Sequence, residues 1–371
     1  MQNPLRQILR ALIAIAFTPI ALIALLPIVA VACLFWLVSF ATVALARLIA
    51  PVPAPWSDFI VFDAKLGWKS KANVDAHYLV AGDIYRAKTG DDGWRGDSKI
   101  SESEIVVIGD SFAWGYGISD DEYFANLVTG VKVKPIGVMG YNLAQEVLCL
   151  KQYQSQLVGK LVVWFVYYGN DLFETLTPDM QGYRQPFVKE TADGKGWEII
   201  TRHLSEKRWF LGVNPSDSVY YEKLADYCSS REPGSHRAYS GLHSLLEQGR
   251  DICAAAGARL VVVSIPEKTQ LNSEGRMFLL QRGGDPFSLD TRLPDRITAS
   301  ICQELNVSFV PGMEYFELSH YLAKDCHWNG NGNRRMADLL NVLWREHSSE
   351  RTALGPACRT VSSAARHETV S

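Results

Sequence analysis

Short apolar runs alternate with amphipathic segments between residues 101 and 347 of this chain. The apolar runs are β-branched or continuously apolar and end at turn residues, which predicts five strands: Ile105–Ile108, Lys132–Val138, Leu161–Tyr168, Arg259–Ile265 and Val307–Val310. Apolar positions at helical spacing predict helices between them: Asp121–Val128, Asn142–Leu157, Tyr239–Ala256, Pro294–Leu305 and Gly332–Trp344. Strands that alternate with helices predict an α/β fold, a three-layer, doubly wound parallel sheet.

Three other segments do not follow this alternation. Residues 51–100 begin with the Pro-rich stretch Pro51–Pro55, so we interpret them as a linker and an N-terminal extension. Residues 172–237 form a long insertion with a predicted hairpin that pairs Pro186–Glu190 with Trp197–Ile200. Residues 348–371 are polar and lack periodicity, which predicts a disordered tail after a domain at 101–347.

The N-terminal 50 residues contain an apolar run of a different length. Ala11–Ala46 is 36 residues without a charge, whereas one helical crossing of a membrane needs about 20 residues. The run is also longer than the apolar core of a cleavable signal peptide. We therefore expect residues 1–50 to be a membrane anchor, either one tilted span or a helical hairpin that turns near Pro27.

Composition adds limits on the remaining 321 residues. The first 50 hold three basic and no acidic residues, which leaves 34 basic and 40 acidic residues and a net charge of −6. This balance argues against a nucleic-acid partner, and the 47% apolar content excludes a disordered chain. Cys149, Cys253 and Cys302 lie on predicted apolar helix faces, whereas three other cysteines leave a disulfide open: Cys228, Cys326 and Cys358. The oligomeric state is not predicted.

Residues with catalytic chemistry follow the predicted strands. Ser111 follows the first strand, Gly140 the second and Asn170 the third, and Asp325 and His327 precede the last helix. The carboxyl ends of parallel strands meet at one edge, where such sheets bind ligands. Ser111 can act as nucleophile, His327 as its base and Asp325 as the group that orients the imidazole. The backbone N–H groups of Ser111 and Gly140 and the Asn170 amide can form an oxyanion hole.

These blocks resemble the SGNH (GDSL-type) hydrolase superfamily, in the order GDS at Ser111, GxxGY at Gly140, GND at Asn170 and DxH at His327. The resemblance covers roughly residues 85–347 and implies an SGNH/flavodoxin-like sheet. Many members place the aspartate three residues before the histidine, but here Asp325 stands two before it. The resulting DxHW variant looks like polysaccharide O-acetylesterases and acetyltransferases, which keeps acyl transfer open beside hydrolysis.

Several residues have a second, structural interpretation. Ser111 and Asp325 can cap helices, Asn170 can cap a loop, and His327 can be structural. Trp114, Tyr141 and Trp328 flank the blocks and can stack on a sugar ring or pack in the core. Asp110, Asp171 and Glu174 do not form a closely spaced ligand set with His327, so we expect neither a metal ion nor a cofactor.

We therefore expect a membrane-anchored serine esterase or O-acyltransferase that acts on acyl esters, in particular acetyl esters of a cell-surface glycan. Two alternatives remain open: a lipid esterase, lysophospholipase or thioesterase, and a non-catalytic glycan-binding or assembly protein with the same fold. The expected location is a membrane, such as a bacterial inner membrane, bound through residues 11–46. The family favours the exported side, whereas Arg6, Arg10 and Arg47 around a hairpin would suit the cytoplasmic side.

Overall fold

The computed structural model describes residues 26–42, 56–96, 98–180, 183–194, 196–205, 217–229 and 233–353. The chain divides into two compact units, Met1–Pro53 and Ala54–Ser371. In the first unit, residues 26–42 form a helix, and the remaining residues of the predicted anchor lie outside the described residues. Among the described residues, no helix combines the length and the apolar character needed to cross a membrane.

A five-stranded parallel sheet forms the centre of the second unit. Its strands are β1 (Ile105–Gly109), β2 (Val133–Gly137), β3 (Leu161–Tyr167), β4 (Arg259–Ile265) and β5 (Ser308–Val310). They are arranged in the order β2-β1-β3-β4-β5, and each pair of neighbours is parallel. This order is that of flavodoxin-like sheets, whose ligands bind where the strand order reverses, beside β1 and β3. The predicted doubly wound parallel sheet is confirmed.

Helices cover both faces of this sheet, and their bounds, in chain order, are α1 (Ser111–Trp114), α2 (Phe124–Leu127), α3 (Leu143–Tyr153), α4 (Asp171–Glu174), α5 (Asp217–Tyr227), α6 (Pro233–Ala255), α7 (Ser273–Gln281), α8 (Leu293–Glu304), α9 (Gly312–Tyr315) and α10 (Gly330–Ala353). Single turns of 3₁₀-helix lie at Trp56–Phe59, Ile100–Glu102, Gln154–Gln156, Lys268–Gln270 and Leu318–His320.

Two hydrophobic clusters form because alternate side chains of each strand point to opposite faces. Val162 and Trp164 of β3 pack with α3, α6 and α8, whereas Val163 and Phe165 pack with α2 and α10. All seven residues of β3 are buried, as expected for a central strand of a parallel sheet. The chain therefore has the three layers that its hydrophobic pattern predicts.

The N-terminal extension before β1 is folded from residue 56 onward. Two antiparallel hairpins pair Ile60–Asp63 with Gly67–Ser70 and Asp75–Val80 with Asp83–Lys88. Trp68 and Tyr78 of these hairpins are buried in the main core. This extension is therefore part of the same packed body as the sheet, and residues 51–55 lie outside the described residues.

The insertion contains the predicted hairpin and a helix that the pattern did not reveal. Phe187–Glu190 pairs with Trp197–Ile200 in antiparallel register, and a shorter pair joins Asp179–Met180 to Tyr183–Arg184. Helix α5 then packs against α7 and α6. Neither α5 nor α7 was predicted, because their apolar positions are weakly periodic.

The C-terminal prediction requires a correction. The last helix does not end near Trp344: α10 continues to Ala353, so residues 348–353 of the predicted disordered tail are helical. Buried Leu339, Leu340 and Leu343 hold the helix against the sheet up to that region. Residues 354–371 lie outside the described residues.

Candidate active site

Ser111 stands at the sharp turn between β1 and α1. The Asp110 carboxylate caps α1 by accepting a hydrogen bond from the Phe112 backbone N–H at 2.8 Å. Gly115 ends this helix after one turn, with the left-handed φ of 79° that a residue without Cβ adopts most readily. The turn leaves the Ser111 side chain at the wall of a cleft, with 8% of the residue exposed.

His327 and Asp325 complete a hydrogen-bonded chain with Ser111. The Nε2 atom of His327 lies 2.7 Å from Oγ of Ser111, and its Nδ1 lies 2.5 Å from Oδ1 of Asp325. The same Asp325 oxygen accepts the His327 backbone N–H at 3.0 Å. Lys268 donates to the Asp325 backbone carbonyl at 2.9 Å, which ties this loop to the segment after β4. The three residues therefore have the geometry of a nucleophile, a base and an orienting carboxylate.

Electrostatics in this chain favour a charged imidazole. Burial alone would lower the pKa of His327, but the neighbouring Cys326 side chain and the hydrogen-bonded Asp325 carboxylate raise it well above its usual range. Burial would raise the pKa of Asp325, yet the hydrogen bond and charge of His327 hold it below its usual value. The site thus stabilises the protonated, positively charged form of the His327 imidazole.

Asn170 lines the same cleft from the end of β3. Its Nδ2 donates to Oε2 of Glu174 at 3.0 Å. Its buried Oδ1 has no hydrogen-bond partner among the described residues. An amide nitrogen carries two N–H groups, so one remains for an acceptor in the cleft.

Gly140 lies at a position that only glycine fits. Its φ is +73°, and a Cβ there would come within 1.7 Å of Cε of Met180. Both residues line the cleft beside Ser111 and Asn170. The missing side chain therefore lets the backbone reach the cleft wall. The structure brings all three predicted oxyanion residues to this one cleft.

The cleft has a volume of about 440 Å³ and draws on several parts of the chain. Tyr220, Tyr221 and Leu224 come from α5, so the insertion forms one wall. Tyrosines, methionines and charged side chains share the remaining lining, which includes Tyr116, Tyr167, Met139, Glu267, Lys268 and Lys324. A volume of this size accommodates a small molecule or one sugar unit with its substituent.

The three aromatic side chains predicted beside the blocks do not line this cleft. Trp114 and Tyr141 are fully buried, and Trp328 is 2% exposed. The ring of Trp114 packs edge-on against Phe59 of the extension, with 5.5 Å between the ring centroids, and the ring of Trp328 stacks on Phe316 with a centroid distance of 4.7 Å. The interpretation that these three residues stack on a sugar ring is therefore wrong, because their rings pack in the core.

Tyr116 is one of the cleft tyrosines that the sequence analysis did not predict. Its ring lies 4.9 Å from the His327 ring and lines the cleft. It stands between Gly115 and Gly117 in the sequence. Its position five residues after the serine was the available signal.

One group of metal-ligating side chains is close enough to share an ion within the described ranges. It consists of Asp325, Cys326 and His327, whose ligand atoms lie within 4.8 Å of one another. Two of these residues already form the hydrogen-bonded chain to Ser111, and the imidazole Nδ1 is engaged by Asp325. The set considered from sequence, which combined Asp110, Asp171 and Glu174 with His327, does not appear as such a group in the described part of the chain.

Four carboxyl groups are buried behind the serine. Burial raises the pKa of Asp110, and it raises the pKa of Glu146 and Asp171 well above the usual range. It raises the pKa of Glu174 to about 8. Proximity adds to burial, because the charges of Glu146 and Asp110 also raise the pKa of Asp171. Burial therefore shifts all four groups toward their neutral forms.

Comparisons with known proteins add little to this geometry. No protein-family model and no curated protein matches the chain. Among solved structures, it is similar to TesA, with 12% identity, a TM-score of 0.36 and coverage of 63% of this chain and 93% of that one. It is also similar to a GDSL-like lipase from Bacteroides thetaiotaomicron, with 11% identity, a TM-score of 0.33 and coverage of 68% and 92%. At such values the chemistry rests on this chain's own residues.

Proposed function

We propose that this protein is a serine esterase or O-acyltransferase that works through an acyl-enzyme on Ser111. The observation that carries the proposal is the chain from Ser111 Oγ to His327 Nε2 at 2.7 Å and from His327 Nδ1 to Asp325 Oδ1 at 2.5 Å. The order of the GDS, GxxGY, GND and DxH blocks along the sequence supports it independently.

Acylation follows from this arrangement. Asp325 accepts a hydrogen bond from Nδ1–H of His327, so the unprotonated Nε2 can take the Ser111 hydroxyl proton as Oγ attacks the ester carbonyl. The N–H groups of Ser111, Gly140 and Asn170 stabilise the oxygen that becomes negative. His327 then returns the proton to the leaving alcohol, and the acyl group remains on Oγ.

Deacylation uses the same residues in reverse. Water, or the hydroxyl of an acceptor, gives its proton to His327 and attacks the acyl carbonyl. The tetrahedral intermediate collapses, Ser111 leaves and recovers its proton from His327. Water yields a free acid and completes hydrolysis, whereas an acceptor hydroxyl yields a new ester and completes transfer.

We further propose that the substrate is an acetyl ester of a glycan. Tyr116, Tyr167, Tyr220 and Tyr221 line the cleft, and tyrosine offers both a ring face and a hydroxyl to a sugar. Lys268 and Lys324 also line the cleft, and their charged side chains suit a polar ligand better than a long acyl chain. The DxHW spacing at Asp325 agrees with this substrate class through the family resemblance.

A labelling experiment tests the catalytic proposal. A fluorophosphonate probe should label the wild-type protein and fail to label Ser111→Ala, with Ser119→Ala as a serine control outside the cleft. Equal labelling of wild type and Ser111→Ala would refute the nucleophile. A non-catalytic binding protein would give no labelling and full biological activity in both Ser111→Ala and His327→Ala.

Substrate class is tested with matched esters. Acetylated sugars and p-nitrophenyl acetate should react faster than p-nitrophenyl esters of long acyl chains, because the cleft is small and polar-walled. A preference for long chains or lysophospholipids would instead favour a lipid esterase. Addition of a sugar acceptor should yield an acetylated product if the enzyme transfers the acyl group.

Membrane attachment through residues 11–46 is also a proposal. It is supported by the 36 uncharged residues and by the exposed apolar side chains of helix 26–42, such as Phe35 at 74% and Trp36 at 66%. The full chain should remain in the membrane fraction after carbonate extraction, and a chain that begins at Ala54 should not. A reporter fused at Ser371 should be active on the exported side; activity only in the cytoplasm would overturn that orientation.

A further inference from the structure

Glu174 is a buried carboxyl group that contacts the proposed oxyanion donor. It lies at the end of α4, four residues after Asn170, and is 2% exposed. Its Oε2 accepts from Asn170 Nδ2 at 3.0 Å, and its Oε1 accepts from the Tyr220 hydroxyl at 2.6 Å. Both oxygens are thus engaged, one by the proposed oxyanion donor and one by Tyr220 of helix α5.

The backbone of this turn is held from two further sides. The Glu174 carbonyl oxygen accepts Gln185 Nε2 at 3.0 Å and Asn142 Nδ2 at 3.3 Å. Gln185 and Asn142 are themselves fully buried. With its backbone fixed and its side chain between two donors, Glu174 presents a rigid acceptor to Asn170.

Tyr220 attaches the insertion to the same turn by two kinds of contact. Its hydroxyl donates to Glu174, and its ring meets that of Phe173 edge-on at 5.6 Å. Phe173 lies on α4 beside Glu174. Helix α5 therefore braces the turn that carries Asn170, in addition to lining the cleft.

A fixed acceptor determines where the free N–H of Asn170 points. The planar amide has two N–H groups in a set geometry, so the bond to Glu174 orients the other. A negative charge behind an oxyanion hole would oppose catalysis, but burial raises the pKa of Glu174 to about 8, which shifts this side chain toward the neutral acid. The neutral acid retains a carbonyl oxygen that accepts from Asn170.

We propose that Glu174 is a positioning residue that aims the Asn170 amide into the oxyanion hole, and that Tyr220 of the insertion holds Glu174 in place. This inference rests on the proposed acyl transfer at Ser111. It makes the insertion a working part of the active site, since a hydroxyl from α5 stabilises the donor geometry.

A mutant cycle tests this role. We would measure kcat and KM for p-nitrophenyl acetate and the rate of fluorophosphonate labelling for Asn170→Ala, Glu174→Ala, Glu174→Gln, Tyr220→Phe and the Asn170→Ala/Glu174→Ala double variant. Exposed Glu222→Gln, on the same helix as Tyr220, is the matched control. Thermal unfolding of each variant reports whether it folds.

Loss of the oxyanion amide should lower kcat by about 10²-fold or more. Glu174→Ala should lower kcat about tenfold with KM within about twofold, the effect of one lost hydrogen bond. Glu174→Gln keeps an acceptor oxygen and should retain most of the wild-type kcat. The kcat of Tyr220→Phe should lie between those of Glu174→Ala and Glu174→Gln. The double variant should match Asn170→Ala alone, because Glu174 acts only through that amide.

The outcomes separate the two proposals. Fully additive losses in the double variant, or wild-type kcat in Glu174→Ala, would overturn the positioning role while leaving Ser111 chemistry intact. A wild-type protein that neither takes the probe nor cleaves the ester would overturn both proposals. If Glu174→Ala does not fold, Glu174→Gln and Tyr220→Phe in the Asn170→Ala background decide: any further loss there contradicts the inference.

Discussion

The indole Nε1 of Trp68 donates a hydrogen bond to the backbone carbonyl of Met139 at 3.1 Å, one residue before Gly140. The Trp68 carbonyl in turn accepts the Tyr141 hydroxyl at 2.8 Å, one residue after Gly140. One residue of the N-terminal extension thus holds both sides of the proposed oxyanion glycine. The extension therefore contributes to the position of the site as well as to the core.

Trp68→Phe should lower both stability and activity. The change removes the bond to Met139 and leaves a gap in a fully buried position, so we expect a loss of about 2 kcal/mol in the free energy of unfolding. It should also lower kcat, because Gly140 is less well held, and urea unfolding with ester kinetics measures both. Trp344→Phe, in the partly buried part of α10, is the control. Unchanged kcat in folded Trp68→Phe would show that this contact is structural only.

Gly140→Ala should abolish the proposed esterase activity for two separable reasons. Its left-handed φ costs alanine about 1–2 kcal/mol, and the new Cβ would overlap Cε of Met180. Gly130→Ala has a similar φ of +80° and open space, so it isolates the backbone cost. The Gly140→Ala/Met180→Ala pair should recover part of the lost kcat. No recovery would mean that Met180 is not the obstacle.

Arg95→Met should be far more damaging than Arg86→Met. Arg95 is buried, pairs with Asp120 at 2.9 Å and donates to the carbonyls of Trp114, Gly115 and Ile118 just beyond the proposed nucleophile. Loss of Arg95 leaves these groups without their hydrogen-bond partner. We therefore expect the free energy of unfolding, measured by chemical denaturation, to fall by about 3–5 kcal/mol.

The control for this change is an exposed ion pair in the same extension. Arg86 pairs with Asp75 at 2.8 Å, with both side chains about half exposed. Removal of that pair should change the free energy of unfolding far less than removal of Arg95, because solvent screens an exposed ion pair. Equal losses in Arg95→Met and Arg86→Met would contradict the role given to the buried arginine.

The pH dependence of kcat/KM should report His327. The imidazole must be neutral to accept the Ser111 proton, so activity should rise with pH through the pKa of His327. Because Asp325 and Cys326 raise that pKa, the rise should lie above the pH of about 6.5 expected for a free histidine.

Asp325→Asn tests the cause of this shift. It should move the rise to lower pH, because the stabilising carboxylate is gone, and lower the plateau by about 10³–10⁴-fold, because the tautomer is wrong. Exposed Asp338→Asn on α10 should change neither quantity. A midpoint that stays in place in Asp325→Asn would assign the shift to another group.

Much of the sheet follows from local pattern. Arg259–Ile265 forms a strand with the predicted bounds, and Leu161–Tyr168 was predicted one residue too long. Asn142 begins α3 with a capping box to Gln145, so that helix start was also encoded locally. These features depend on residues that are close in sequence, so the local pattern of residue types predicts them.

Packing between segments that are distant in sequence could not be predicted from hydrophobic periodicity. The predicted helix Asp121–Val128 is only the turn Phe124–Leu127, and the weakly periodic α5 was missed. Trp114 was expected beside the cleft, but Tyr116 lines it instead. This difference also arises from packing between distant segments, because burial depends on which segment covers a side chain. Here the extension covers Trp114 through Phe59.

The amino-acid sequence by itself determined the succession of strands and helices along the chain. It also determined the residues with catalytic chemistry that follow the strands or precede the last helix: Ser111, Gly140, Asn170, Asp325 and His327. Only the tertiary structure decided that Ser111 and His327, 216 residues apart, lie 2.7 Å from each other. It also decided that Glu174 and Tyr220 stand behind Asn170. The physical reason is that hydrogen bonds between side chains act over about 3 Å, and only the packing of the sheet and its insertion brings such groups within that distance.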